Sequence, residues 1–162
     1  MPFPVVASAP PVRSTLLLAA RVPHTEHCVV PLALKADASN DEVRALVHAT
    51  LTVAAAVLPF DCMLDDAVAG VKAATATARS VAVRDTQVLE LLECLWREQQ
   101  RQPPGVESLP FAPHVPLLAD AARVELARID VRSGGTFVVE ELVLSSLETG
   151  YIYCAVRNSV RF

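Results

Sequence analysis

The chain has 162 residues and a formal charge of −4, and only Lys35 and Lys72 among its 14 bases are lysines, a balance that carries no nucleic-acid footprint. Its longest apolar runs, LLLAA at 16–20 and VAAAVLPF at 53–60, fall far short of the ~20 residues of a membrane-spanning helix, which argues against membrane insertion. Four cysteines at 28, 62, 94 and 154, without a C-x-x-C pair, argue against a disulfide framework and read as reduced thiols.

Residues 1–13 hold four prolines and small side chains that offer little to bury, and are expected to form a flexible N-terminal arm. A single α+β domain is expected over 14–162. It opens with two apolar runs, 15–22 and 28–35, around the polar PHTEH, the pattern of a hairpin with a longer loop. Cys28, Val30, Leu32 and Leu34 fall on one face of the second run. Pro31 cannot donate a ladder hydrogen bond, so this strand belongs at a sheet edge.

Ser39 and Glu42 then have capping-box spacing before apolar residues of helical period, which predicts a helix over 40–58 that stops at Pro59. A second helix is expected where Asp65 and Asp66 precede the face Leu64, Val68, Val71, Ala74, Ala78 and Val81. Asp85 caps a third, striped by Val88, Leu89, Leu92, Leu95 and Trp96 and ended by Pro103, Pro104 and Gly105. Five prolines in 101–116 mark an extended connection.

After a short helical stretch at LLADAAR, the run VELARIDV reads as a strand, and RSGG as a turn in which Gly134 or Gly135 takes a positive φ. FVVEELVLSSL fits neither period well. YIYCAVR alternates, directing Ile152, Cys154 and Val156 to one face and Tyr151, Tyr153 and Arg157 to the other.

The segment VELARIDVRSGGTFVVEELVLSSLETGYIYCAVR resembles the second half of a ubiquitin-like domain, and the hairpin and capped helix resemble its first half. The resemblance implies a β-grasp mixed sheet with an α-helical insertion, about 59–121, between the first helix and the third strand. It places strand 15–22 parallel beside strand 151–157. The chain departs from that family in ending RNSVRF without a Gly-Gly tail. An alternative makes 117–130 and 136–158 helices, giving a mostly α chain with an N-terminal β-hairpin.

Chemistry-bearing residues are sparse. HTEHC brings His24, Glu26, His27 and Cys28 within five residues, with His48, Cys62 or His114 as a distant fourth ligand, but usual zinc spacings are absent and no metal is expected. The pairs Asp65/Asp66 and Glu140/Glu141 are sequence neighbours, which on a helix do not face each other. No phosphate-binding loop, dinucleotide fingerprint or nucleophile elbow is present, so neither a cofactor nor a catalytic set is expected.

These readings lead to a noncatalytic protein–protein interaction module or small subunit of a multiprotein assembly, not an enzyme, with one or more protein partners. Its binding residues would be Tyr151, Tyr153 and Arg157, residue types enriched at binding hot spots. A structural subunit of an organellar complex and a small thiol- or metal-dependent enzyme are the alternatives. A cytoplasmic location is expected; the acid-free first 25 residues, with Arg13 and Arg21, suit an organellar, mitochondrial address instead.

Overall fold

The structure, a computed structural model, describes residues 14–65, 78–99, 111–117 and 119–160. The N-terminal arm proposed for 1–13 and most of the second expected helix lie outside them. Eight strands and three helices follow in the order β1 (Ser14–Arg21), β2 (Val29–Ala38), α1 (Asn40–Val57), β3 (Phe60–Leu64), β4 (Ala78–Val83), α2 (Thr86–Gln99), β5 (His114–Pro116), α3 (Asp120–Ser133), β6 (Thr136–Val139), β7 (Glu141–Ser146) and β8 (Ile152–Arg157).

The strands form two four-stranded antiparallel sheets, the first ordered β2-β1-β7-β8 and the second β5-β4-β3-β6. The α+β class stands, whereas the ubiquitin-like β-grasp does not. β1 lies between β2 and β7, antiparallel to both, and β8 pairs with β7 instead of lying parallel to β1. The expected helical insertion over 59–121 contains three strands of a second sheet as well as α2. The mostly α alternative fails too, because 136–139, 141–146 and 152–157 are strands, although its helix over 117–130 corresponds to α3.

Local sequence explains much of this arrangement. Ser39 caps α1 reciprocally with Glu42: the Ser39 hydroxyl accepts from the Glu42 N–H at 3.3 Å, and the Glu42 carboxylate accepts from the Ser39 N–H at 3.2 Å. The ammonium of Lys35, 2.9 Å away, and these bonds hold the Glu42 carboxyl down at about 2. Asp85 caps α2 by accepting from the Gln87 N–H at 2.9 Å. β3 buries Phe60, Cys62 and Leu64 in strict alternation, the period of a half-buried strand. Pro31 does sit on an edge strand of its sheet.

α3 occupies VELARIDV, expected as a strand. Its buried residues are Ala122 and Leu126, one helical turn apart, with Ile129 packed behind them, while Val124 and Val131 are 51% and 87% exposed. Val124 and Val131, whose β-branched side chains suit a strand, therefore lie largely outside the core, while Ile129 keeps helical spacing behind Leu126. Gly134 ends this helix at φ +64°, and the Gly134 and Gly135 N–H groups donate to the Asp130 and Ile129 carbonyls.

Two register shifts alter which side chains reach the core. Leu18 pairs with Ala33 and Ala19 with Pro31, so Leu32 is an extra residue in β2; beyond it Ala33 is buried and Leu34 turns outward. Leu144 pairs with Cys154 and Ser145 with Ile152, so Tyr153 is the extra residue in β8. The expected grouping of Ile152 with Cys154 and Val156 is broken by that shift: Ile152 is 53% exposed, while Tyr153, Cys154 and Val156 pack against the core. The core itself joins Leu16, Leu18, Leu142 and Leu144 of the first sheet to Leu46 of α1 and Leu92 of α2, each fully or almost fully buried. Burial of one such side chain stabilises by roughly 1.5–3 kcal/mol.

Candidate functional site: an arginine-lined groove between the sheets

The chain passes from the second sheet to the first at Glu140, the residue between β6 and β7. A groove of about 660 Å³ opens there, lined by Arg21 at the end of β1, His24 in the β1–β2 turn, Glu125, Arg128 and Arg132 on α3, Thr136–Val138 on β6, and Arg157 at the end of β8. Four arginines thus line one groove of a chain whose net charge is negative. Residues 125, 128, 129 and 132 share a face of α3 because they are three or four apart, which aims one helix stripe into the cleft.

The four arginines differ in how their charge is met. Arg21 pairs with Glu141 at 3.0 Å and Arg157 with Glu140 at 3.1 Å. Arg128 and Arg132 make no ion pair with any described residue. The hydroxyls beside them are engaged: Ser133 donates to the Thr136 carbonyl at 2.6 Å, and Thr136 to the Ser133 carbonyl at 2.8 Å.

Glu125 organises the opposite wall. Its carboxylate accepts from the Glu26 N–H at 2.6 Å, the His27 N–H at 2.9 Å and the His27 ring at 3.2 Å, so α3 holds the β1–β2 turn. Burial disfavours the charge of Glu125, but those donors outweigh it and keep the carboxyl below its ordinary range. His24, in this turn, takes the left-handed φ of +61°, rarely adopted by residues other than glycine, and its exposed side chain lies on the groove rim. Below the turn, Arg79 of β4 grips Asp130 of α3 through both guanidinium nitrogens, the second at 3.1 Å.

The residues of HTEHC do not act together. His24 faces the groove, His27 is tied to Glu125, and the Cys28 thiol turns inward, donating to the Ala122 carbonyl at 3.5 Å. Among the described residues no three His, Cys, Asp or Glu side chains converge as a metal site would require. Three of the thiols are held in the neutral form: burial, with Glu125 beside it, pushes Cys28 up to about 11, burial pushes Cys62 up to about 12, and burial raises Cys154 as well. Of the three residues expected to bind a partner, only Arg157 reaches the groove. Tyr151 and Tyr153 meet each other edge to face at 5.0 Å, and the Tyr153 hydroxyl is buried. Glu140 and Glu141 serve as partners of Arg157 and Arg21.

No family model matches the chain, and no curated protein matches it. Among solved structures it is similar to E. coli LigT complexed with 3′-AMP, at 18% identity and a TM-score of 0.49, over 83% of this chain and 88% of that one. The ubiquitin-like sheet on which the expectations of a noncatalytic interaction module and of a chain that is not an enzyme were built is absent among the described residues, and those expectations are withdrawn with it.

Proposed function

We propose that this chain is an enzyme acting on a small phosphoester, whose phosphate is held in the arginine-lined groove. The observation that carries the reading is the gathering of Arg21, Arg128, Arg132 and Arg157 along one groove, two of them without an acidic partner among the described residues. A guanidinium presents a fork of N–H donors that matches phosphate oxygens, and each charge-assisted bond contributes about 1.5–3 kcal/mol. Stabilisation of the charge that develops on phosphate as an ester bond breaks is the task such a cluster suits.

His24 is the group assigned to proton transfer, because it lines the same groove and imidazole is the side-chain type suited to that work near neutral pH. Ser133 and Thr136 are left out of the chemistry, since their hydroxyls are committed to backbone carbonyls. The cations are gathered in one cleft of an otherwise acidic chain, which favours a short ligand over a long nucleic-acid tract. The four free cysteines, two of them buried, favour a reducing compartment, the cytoplasm. Among the described residues no helix is long and apolar enough to cross a membrane.

The test is calorimetric titration with 3′-AMP, the nucleotide named for LigT, beside hydrolysis of bis(p-nitrophenyl) phosphate. Binding is expected to weaken as salt rises, and His24→Asn, which tolerates the left-handed backbone, is expected to lower kcat with KM little changed. Absence of both binding and turnover in the folded wild type would overturn the reading.

A further inference from the structure

The charges of the groove fall into two sets. Arg21 and Arg157 each stand against one acid, Glu141 at 3.0 Å and Glu140 at 3.1 Å. Glu125, the other acid in the lining, commits its carboxylate to the Glu26 N–H, the His27 N–H and the His27 ring of the β1–β2 turn. Arg128 and Arg132 remain, both exposed and without an acidic partner among the described residues. They stand four residues apart on the face of α3 that lines the groove, about 6 Å along the helix axis. Like charges at that spacing disfavour a helix, so the pair brings the fold no stability of its own.

We infer that the groove selects a terminal phosphoryl group, the dianion of a phosphomonoester, over the monoanion of a phosphodiester. The inference rests on the phosphoester reading of the groove and adds the class of ester. A monoester presents three charged oxygens and close to two negative charges near neutral pH, whereas a diester presents two such oxygens and a single charge. One guanidinium fork already spans the two free oxygens of a diester. The second fork finds its partner only in the third oxygen and second charge of a monoester, so Arg128 and Arg132 together match the dianion. In the reaction assigned to it, water adds across the P–O ester bond. Phosphorus gains the water oxygen with one of its protons, the ester oxygen leaves with the bonding pair and takes a proton from His24, and the second water proton restores His24. The products are an alcohol and hydrogen phosphate.

The experiment uses the full chain at about pH 8, well above the second phosphate pKa of about 6. Calorimetry compares methyl phosphate with dimethyl phosphate, which differ by one methyl group and one charge. Turnover compares p-nitrophenyl phosphate with methyl p-nitrophenyl phosphate, which share a leaving group. The wild type should bind methyl phosphate at least ~10-fold more tightly than dimethyl phosphate and show the higher kcat/KM with p-nitrophenyl phosphate. Arg128→Gln and Arg132→Gln, at exposed positions, should each weaken methyl phosphate ~10-fold and dimethyl phosphate less. Equal affinity for the two probes, or a ratio that neither variant changes, would overturn the dianion assignment and leave the phosphoester reading standing. A higher kcat/KM for the methyl diester would also overturn it, even with methyl phosphate bound more tightly, by making the bound dianion the product. Binding of neither probe, with turnover of neither ester, would overturn the groove reading, and the assignment with it.

Discussion

The two ends of the first sheet use the same strands and treat charge in opposite ways. At the end where β1 begins and β7 stops, the Glu148 carboxylate accepts from the Ser14 hydroxyl at 2.7 Å and from the Thr15 N–H at 2.9 and 3.0 Å, while the Ser146 hydroxyl, 3.3 Å from the same carboxylate, donates its one proton to the Ser14 oxygen. One acid there is matched by several donors. At the other end, where β1 stops and β7 begins, four arginines gather with only Glu140 and Glu141 as ion-pair partners among the described residues. The first end is a clasp that ties the β7–β8 turn to the start of β1. The second leaves donors facing solvent, and donors left over after folding are available to a ligand.

The largest effect should come from the strand centre that serves both ends. Leu144 is fully buried, and Leu144→Ala is expected to cost about 3 kcal/mol by chemical denaturation, weakening clasp and groove together. A cost below ~1 kcal/mol would show that the two ends do not share a core.

The double change Arg128→Ala and Arg132→Ala should separate the ends. Loss of two unpaired cations is expected to reduce 3′-AMP affinity about 100-fold, or ~2.7 kcal/mol, with the denaturation midpoint nearly unchanged. A fall in stability comparable with that of Leu144→Ala would make these arginines part of the scaffold. Ser146→Ala should do the reverse. Its buried hydroxyl donates to Ser14 beside Glu148, so its removal should cost about 1–2 kcal/mol while leaving ligand affinity alone.

The two ends also differ in how legible they were. Elements with a local signature were readable: the Ser39–Glu42 box, the Asp85-capped stripe of α2 and the edge position of Pro31 all follow from side chains a few residues apart. α3 was misread because its Val and Ile residues have strand character, although Val124 and Val131 face solvent while Ile129 packs behind Leu126 at helical spacing. The second sheet was missed even though Phe60, Cys62 and Leu64 alternate cleanly, because the acids that follow suggested a helix start. The groove had one local sign, the i,i+4 pair Arg128 and Arg132; Arg21 and Arg157 stand 136 positions apart in sequence and meet only through the order β1-β7-β8. Neither bulge has a glycine to announce it, so the outward turn of Leu34 and Ile152 could be seen only in the ladder.

The smallest effect concerns pH. Hydrogen bonds from the Ser14 hydroxyl and from Thr15 hold the Glu148 carboxyl down at about 2, against an ordinary value of 4.5. A carboxylate whose folded pKa is depressed contributes stability that is fully present above the unfolded value and is lost as pH falls through the folded one. The clasp should therefore weaken between about pH 4.5 and 2, the window set by those two values. Glu148 is exposed, so solvent and salt screen its contribution and the slope should be shallow. Glu42 and Glu125 are also depressed and add slope in the acid range, which makes the informative quantity the difference between wild type and Glu148→Gln. Denaturation midpoints followed from pH 6 to pH 2.5 should converge for the two proteins as acid neutralises the carboxylate that distinguishes them. The matching change Glu125→Gln, at the groove end, should reduce the acid slope and also lower kcat for bis(p-nitrophenyl) phosphate, because the turn that carries His24 hangs from that carboxylate. If Glu148→Gln lowers kcat as much as Glu125→Gln does, the two ends are one coupled unit, and the division of labour between clasp and groove fails.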